Sequence, residues 1–378
     1  MLQFLCLYVF YLPEIMVRKI AVLRANALGD YIFSLPALQA LRETFSHAEI
    51  VLLGRQWHLE YLKDRPGPAD RVIVVPLYPG ISEVEGYVPD EKVLSEFFSK
   101  MQEEQFDIAF QMHGGGRNSN PFLLRLGAKL TVGLKTPDAV ALDINVPYVY
   151  YFNETLRYLE VAGRAGATTK NIEPQIIVTD KDISEAVSIV NNPEGRPIAV
   201  IHPGASDVKR RWPGANFAAI GDYLIESGNH VVITGLAWER EIVDAVINNM
   251  VYKDSVQDLS DKLSLGGSTG LLSFAGIIIS NDTGLLHVAR ALRRPTIGLY
   301  WFANIINASP MTTTLNRNLL SFTMNCPLCG VSSLKFHEYR GNCKHNTSLV
   351  TDITVDEVKK TIDELMSVKK ELPAAVAI

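Results

Sequence analysis

The amino-acid sequence predicts an α/β fold built on two doubly wound parallel sheets. Short apolar runs alternate with longer stretches that suit helices, a pattern typical of strand–helix–strand units. The alternation breaks once, over residues 168–195, and then resumes. A chain of 378 residues is also long enough for two domains of ordinary size. We therefore expect one domain over residues 16–175, a second over 176–353, and a C-terminal helix with its tail over 354–378.

Each half of the chain has its own apolar strands and intervening helices. In the first half, the predicted strands are residues 19–24, 49–54, 71–76, 107–111 and 129–133. The predicted helices of that half are residues 31–45, 90–104, 118–126 and 153–163. In the second half, the predicted strands are residues 198–202, 230–234, 276–280 and 296–300. The helices predicted there are residues 182–190 in the linker, 214–227, 238–249 and 285–292. The last helix, residues 354–369, begins with a capping box because Glu357 follows Thr354 by three residues.

The composition is that of an ordinary globular protein. Hydrophobic residues make up 47% and charged residues 20% of the chain, which excludes a disordered chain, a collagen-like repeat and a coiled coil. The net charge of −5 gives no sign of nucleic-acid binding, which usually leaves a basic excess. The four cysteines are too few for a disulfide scaffold and favour a reducing compartment.

The first fifteen residues, MLQFLCLYVFYLPEI, differ from the rest of the chain because they are almost wholly apolar and aromatic. They have no basic residues before them, so they do not resemble a secretory signal, and they are short for a membrane span. Met16 then opens a stretch that suits the start of a strand-first domain. We interpret residues 1–15 as a non-native or disordered extension, with an interfacial anchor as the alternative.

Ligands of doubly wound sheets bind outside the carboxyl ends of the strands, so we expect the functional residues in the strand-to-helix loops. The first loop is in residues 24–35, RANALGDYIFSL. Gly29 permits a tight turn there, and Asp30 follows at the helix start. Asp30 is a candidate functional carboxylate; the alternative is that it only caps the helix.

The second loop, residues 202–212 (HPGASDVKRRW), places three cations at the start of a helix: Lys209, Arg210 and Arg211. Adjacent cations beside helix N–H groups suit a phosphate or pyrophosphate, and the alternative is a solvated basic turn.

The third loop, residues 277–291 (IIISNDTGLLHVARA), follows a buried strand with Asp282, Thr283 and Gly284 and then His287. Asp282 or Thr283 can cap the helix, and Gly284 lets a ligand approach backbone N–H groups. A capped helix with a satisfied histidine is the alternative.

Two other patterns in the sequence suggest a different use of these residues or a different kind of site. His113 begins an HGGG run, and Ser268, Asp282 and His287 follow in the chain order of an acyl hydrolase triad. We set a hydrolase aside because no apolar strand precedes Ser268 and because Asp282 and His287 share one helix start.

A second competing pattern is a metal site. Its spacing is Cys326-x2-Cys329-x13-Cys343-x-His345, with His337 as a possible alternative ligand. The sequence leaves a structural zinc ion and a reduced surface loop both open.

Three segments resemble family 9 glycosyltransferases, the bacterial heptosyltransferase family of lipopolysaccharide core synthesis. They are KIAVLRANALGDYIFSLPALQALRETFSHAEI, IHPGASDVKRRWPGANFAAI and ISNDTGLLHVARALRRPTIGLY. The resemblance implies a GT-B fold of two Rossmann-like domains facing a central cleft, with the C-terminal helix crossing back to the first domain. It also implies metal-independent, inverting transfer of heptose from an ADP-linked donor to a lipid-linked glycan, without a bound cofactor.

The resemblance also assigns roles to residues. Asp30 is the implied general base, and Arg210 and Arg211, with Lys209 adjacent, are the implied clamp on the leaving diphosphate. Donor contacts are further implied for Asp282, Thr283, Gly284 and His287, and for Glu239 at the nucleoside, where Glu241 is an equally placed rival. Candidates on the acceptor side are Arg24, Asn26, Gly29 and His113.

These expectations give a cytoplasmic enzyme whose partners are a nucleotide sugar and a lipid-linked glycan. Peripheral contact with the inner face of the inner membrane could use Arg290, Arg293 and Arg294, or the basic stretch 335–344, and a plain solvated surface is the alternative. The competing functions are a GT-B-like sugar-nucleotide epimerase or hydrolase and a non-catalytic nucleotide-sugar-binding protein.

Overall fold

The computed structural model describes residues 16–83, 86, 88–333 and 343–371. The interpretations of residues 1–15, of His337 and of most of the basic stretch 335–344 concern parts of the chain outside the described residues.

The first sheet has six parallel strands in the order β3-β2-β1-β4-β5-β6. The strands are β1 (Lys19–Leu23), β2 (Glu49–Gly54), β3 (Arg71–Val74), β4 (Ile108–Gln111), β5 (Leu130–Lys135) and β6 (Ile144–Pro147). The helices of this half are α1 (Leu28–Thr44), α2 (Gln56–Leu62), α3 (Glu91–Glu103), α4 (Ser119–Leu124) and α5 (Glu154–Gly163). Parallel pairing with crossover helices confirms the doubly wound fold predicted for this half.

The second sheet repeats the arrangement in the order β12-β11-β10-β7-β8-β9. Its strands are β7 (Ile198–His202), β8 (His230–Ile233), β9 (Val256–Asp258), β10 (Ile277–Asn281), β11 (Thr296–Trp301) and β12 (Asn316–Ser321). The helices of this half are α6 (Asp180–Ile189), α7 (Gly214–Glu226), α8 (Arg240–Asn249), α9 (Leu265–Phe274), α10 (Gly284–Ala291), α11 (Phe302–Ala308) and α12 (Val355–Glu371).

The central strands are apolar on both faces because helices cover both sides of each sheet. In β1, Ile20 and Val22 face one core cluster, and Ala21 and Leu23 face another. The first of these clusters also contains Val288 from α10. One apolar core therefore runs from the first sheet into the second and holds the two halves together.

The two helices on either side of the predicted domain boundary belong to different halves. Helix α5 packs against α1, and α6 packs against α9. A buried ion pair crosses between the halves, with Arg65 Nη1 2.7 Å from Asp182 Oδ2 and both side chains about 95% buried. The boundary between residues 175 and 176 lies between α5 and α6 and stays a prediction.

The terminal helix α12 packs on the second half of the molecule. Its main contacts are with α7, β11 and β12 of the second half. Val358, Ile362 and Leu365 are buried in the core of that half, because their helical spacing forms one apolar stripe. Over the described residues the helix therefore covers the second sheet, and its crossing back to the first domain stays a prediction.

Candidate active site

A cavity of about 710 Å³ lies between the two sheets, at the carboxyl ends of their strands. Loops after β1 and β6 line it on one side, and loops after β7, β8, β10 and β11 line it on the other. The predicted site residues in this wall are Gly29, Asp30, Lys209, Arg210, Glu239, Asp282, Thr283, Gly284 and His287. Residues that are far apart in the sequence thus meet where doubly wound folds bind their ligands.

Asp30 lies in the first turn of α1, with its side chain 36% exposed toward the cavity. The Nη2 of Arg24 donates to Asp30 Oδ1 at 2.9 Å, and the backbone N–H of Ala27 donates to Asp30 Oδ2 at 3.2 Å. Asp30 therefore both caps the helix and presents a carboxylate to the cavity.

Arg24 lies behind Asp30 and is itself buried. Its guanidinium donates to the backbone oxygens of Asp30 and Met112, at 3.0 and 2.7 Å. The buried cation therefore fixes the orientation of the Asp30 carboxylate.

Glu154 is a second carboxylate in the cavity wall, and the sequence reasoning missed it. Its Oε2 lies 3.8 Å from Arg24 Nη2, and its two oxygens also accept hydrogen bonds from Arg157 and Tyr158. Arg24 is therefore shared between Asp30 and Glu154. The available signal was a carboxylate in the first turn of the last helix predicted for the first half.

On the opposite side, Asp282 is buried and organises the polar groups around it. Its carboxylate accepts from Arg210 Nη1 at 3.3 Å, from Asn304 Nδ2 at 2.9 Å and from His287 Nε2 at 3.2 Å. Asn304 was missed because its helix, α11, was not predicted.

The charges of this cluster can be assigned. Burial by itself would raise the pKa of Asp282, but the hydrogen bond from His287, the charge of Arg210 and the hydrogen bond from Asn304 outweigh it and lower the pKa to about 2. Burial lowers the pKa of His287 despite its bond to Asp282. The cluster at neutral pH is therefore a carboxylate, a neutral imidazole that donates through Nε2, and a guanidinium.

The three cations of the second loop point in different directions. Lys209 and Arg210 line the cavity, and Arg210 also bonds to Ser206 Oγ at 3.0 Å. Arg211 is not part of the wall that the described residues form: its Nε donates to the oxygen of Ala205 at 2.8 Å. Among the described residues, two of these three cations thus face the cavity.

The start of α10 forms the floor beside these cations. The hydroxyl of Thr283 caps the helix, accepting from the N–H of Leu286 at 3.4 Å, and Gly284 is the first helical residue. Asn281 joins this turn to the basic loop, since its Oδ1 accepts from the N–H of Trp212 at 3.0 Å. Helix N–H groups and two cations together make an anion site.

The structure distinguishes Glu239 from Glu241. Glu239 is buried in the wall, and its Oε2 accepts from the N–H of Leu236 at 2.8 Å. Glu241 is exposed at the start of α8 and is not among the described residues of the wall.

Two further acceptor-side candidates, like Arg24, are not part of the wall that the described residues form. His113 is buried, and its two ring nitrogens bridge the N–H of Ala25, at 3.2 Å, and the oxygen of Gly80, at 3.0 Å. Burial lowers the pKa of His113 to about 4, so it is neutral. Asn26 accepts a long bond of 3.4 Å from Arg24.

Close packing, and not the tight turn that the sequence suggested, explains the glycine at position 29. Gly29 lies inside α1, and a Cβ at this position would be 3.0 Å from His287 Cδ2 and 3.6 Å from Gly284 Cα. The two halves of the molecule therefore touch at this point, beside Asp30.

The hydrolase arrangement is not formed by the described residues. His287 directs Nε2 to Asp282, and Ser268 lies in α9 with no hydrogen bond to His287 in the described part of the structure.

The four predicted metal ligands do meet. The ligand atoms of Cys326, Cys329, Cys343 and His345 all lie within 4.8 Å of one another.

The cations considered for membrane contact are mostly used within the fold. Arg290 bonds to Tyr300 and Asn318, and Arg294 bonds to the oxygen of Ala275, while Arg293 is exposed. Over the described residues, no helix combines the length and apolar character needed to span a bilayer.

The fold and the site define a class of protein: two Rossmann-like domains of GT-B type with an anion site at the cleft between them. The family model of glycosyltransferase family 9 (heptosyltransferase) matches residues 94–331. The chain belongs to this family and is a glycosyltransferase, so the non-catalytic alternative and the epimerase or hydrolase alternative are set aside.

Curated relatives and solved structures agree with this family. The chain is 25% identical over 295 residues to lipopolysaccharide heptosyltransferase 2 of Salmonella typhimurium, covering 75% of this chain and 82% of that protein. It is 21% identical to lipooligosaccharide heptosyltransferase 2 of Haemophilus ducreyi, covering 92% and 99%. The structure of E. coli ADP-heptose lps heptosyltransferase II is similar in fold, with a TM-score of 0.72, 20% identity and coverage of 94% and 100%.

Proposed function

We propose that this enzyme transfers heptose from ADP-heptose to a lipopolysaccharide-core acceptor, with inversion at the anomeric carbon. The observation that carries the proposal is that one cavity is lined by Asp30 from the first half and by the anion site from the second half. The names of the relatives, lipopolysaccharide heptosyltransferase 2 among them, support the choice of sugar and acceptor.

In this proposal Asp30 is the general base. Its carboxylate takes the proton of the acceptor hydroxyl while that oxygen forms a bond to the anomeric carbon of the donor. The bond from the anomeric carbon to the diphosphate oxygen breaks on the opposite face, and ADP leaves with the electron pair. Arg24 is a positioning residue, because it holds Asp30 Oδ1 at 2.9 Å from its own Nη2.

The leaving diphosphate is stabilised by Lys209 and Arg210 together with the N–H groups at the start of α10. These groups lie in the wall of the same cavity, and fixed positive groups aimed at developing negative charge are usually the strongest contribution to such a step. Glu239, on the loop after β8, is placed to contact the nucleoside.

Residues 16–175 then bind the acceptor and residues 176–353 bind the donor. Glu154 is placed on the acceptor side, where its carboxylate can accept hydrogen bonds from sugar hydroxyls. Because the acceptor is lipid-linked, we place the enzyme at the inner face of the inner membrane as a peripheral protein.

The donor is tested by calorimetric titration with ADP, UDP and GDP and their sugar conjugates. We expect selective binding of ADP and ADP-heptose, and selective binding of UDP or GDP would refute the donor assignment. Glu239→Gln should weaken ADP binding, whereas Glu241→Gln should not, since only Glu239 lines the cavity.

The catalytic roles are tested with Asp30→Asn and Arg210→Ala. Asp30→Asn should retain donor binding while transfer falls by about 10²–10⁴-fold. Arg210→Ala should lower kcat by about 10²–10³-fold and also weaken ADP binding. Arg117→Ala is the matched control, because the side chain of Arg117 is 80% exposed. Full turnover by Asp30→Asn would remove it as the base.

A further inference from the structure

The segment between β12 and α12 contains a cluster of three thiols and an imidazole. Cys326 and Cys329 lie in a tight hairpin: the N–H of Cys326 donates to the oxygen of Val331, and the N–H of Gly330 donates to the oxygen of Cys326, both at 2.8 Å. Gly330 has φ +71°, which a residue with a side chain adopts rarely. The hairpin therefore directs two sulfur atoms to one side of the turn.

Cys343 and His345 approach the same point from the other end of the segment. Cys329 Sγ and Cys343 Sγ are 3.5 Å apart. The Nδ1 of His345 is 3.6 Å from Cys326 Sγ and 3.8 Å from Cys343 Sγ. Four ligand atoms thus converge, although thirteen residues lie between Cys329 and Cys343.

These distances are those of a tetrahedral metal site. Zinc bonds of about 2.3 Å to sulfur and about 2.1 Å to nitrogen place neighbouring sulfur atoms about 3.8 Å apart and neighbouring sulfur and nitrogen atoms about 3.6 Å apart. A disulfide would need only two of the four groups, at an S–S distance of about 2.05 Å. The convergence of a third sulfur and a ring nitrogen needs another explanation, and a shared ion supplies it.

We propose that Cys326, Cys329, Cys343 and His345 bind one zinc ion. The ligand set is complete, with four protein ligands and no position for a substrate, so the ion is structural. The four ligands are not part of the cavity wall that the described residues form. This proposal does not depend on the proposed function.

The proposed zinc site also stabilises the segment that packs against the basic loop of the anion site. The segment that it closes continues to Leu349, whose N–H donates to the oxygen of Lys209 at 2.8 Å. A few residues further, the oxygen of Ile353 accepts from Trp212 Nε1 at 2.8 Å. The ion therefore stabilises the segment that supports the basic loop from outside.

The test is the metal content of the untagged, full-length protein after dialysis, measured by mass spectrometry of the metals. We expect about one zinc per chain, and less than about one tenth of that in Cys329→Ser and Cys343→Ser. Cys6→Ser is the matched control, since Cys6 is the cysteine outside the proposed ligand set, and it should keep its zinc. Replacement of zinc by cobalt should give the visible spectrum of a tetrahedral, thiolate-bound ion.

Three results would overturn the proposal. One is a wild-type protein free of metal, with two thiols missing from the denatured thiol count because Cys329 and Cys343 form a disulfide. Another is one equivalent of iron in place of zinc, which would overturn the choice of ion. The third is retention of zinc by both serine variants. Because wild-type metal content and the cobalt spectrum need no variant, the test holds even if the serine variants fail to fold.

Discussion

Adding one methyl group at Gly29 should separate the two halves of the site. In Gly29→Ala the new Cβ would lie 3.0 Å from His287 Cδ2, whereas contacts of 3.4 Å or more are ordinary. His287 has little freedom to move away, since its Nε2 is bonded to Asp282 and its ring packs on Phe33 with centroids 4.5 Å apart. An overlap of about 0.4 Å must therefore be relieved by strain or by movement of α1 away from α10.

The expected size of the effect depends on whether the overlap is relieved by strain or by movement of α1. If the halves stay together, overpacking of this kind costs about 1–3 kcal/mol of stability. If they move apart, Asp30 moves with α1 relative to the donor, and a displacement of a few tenths of an ångström should lower kcat by about tenfold, given that a 1 Å misplacement can cost about 10²-fold. Donor affinity should change less, because Gly29 lies on the acceptor side.

The assay is transfer kinetics, together with ADP titration and chemical denaturation of the same preparation. Gly163→Ala is the matched control: Gly163 ends α5 in the same half, and a Cβ there meets no atom within 4 Å. The control should keep wild-type kcat. Wild-type stability and wild-type kcat together in Gly29→Ala would refute the close contact between the halves.

Two further predictions concern buried charges. The pKa of Asp282 is lowered from its usual 3.8 to about 2, so its charge stabilises the fold above pH 3.8 and loses that effect as the pH falls toward 2. Asp282→Asn should therefore lower the free energy of unfolding by about 2 kcal/mol at pH 7 and by clearly less at pH 3, in chemical denaturation; an equal loss at both values would contradict this. Arg65→Ala leaves the buried Asp182 without its partner and should cost about 3–5 kcal/mol. Arg164→Ala, from the exposed pair with Glu160 at 2.8 Å, should cost less than about 1 kcal/mol, and equal losses from the two pairs would refute the role given to burial.

The sequence predicted the central strands of both sheets correctly because each contains a continuous apolar run. Strands β1, β7 and β10 lie in the middle of their sheets, where helices cover both faces and select apolar residues on each. Strand β12, NRNLLS, was missed because it is an edge strand with a polar start. Its parallel pairing with β11 stabilises an extended conformation that its polar composition does not predict.

Helix α9 was missed by the sequence analysis for a different reason. Its sequence LGGSTGLLSF contains three glycines, which predict a loop rather than a helix. In the structure, α6 packs so closely that a Cβ at Gly270 would lie 2.0 Å from the oxygen of Asp182. The glycines therefore allow a neighbouring helix to approach closely. Helix propensity depends on the local sequence and does not predict such a contact.

The sequence by itself determined the two-sheet fold, the loops that carry the chemistry and the family to which they belong, since these depend on local patterns of apolar and polar residues. The tertiary structure decided which of those residues meet. It placed Glu154 beside Arg24 and turned Arg211 away from the cavity. It also placed Glu239, and not Glu241, in the cavity wall that the described residues form, and it brought Cys326 close to His345. Such contacts depend on how separate elements pack in space, and spacing along the chain does not record that packing.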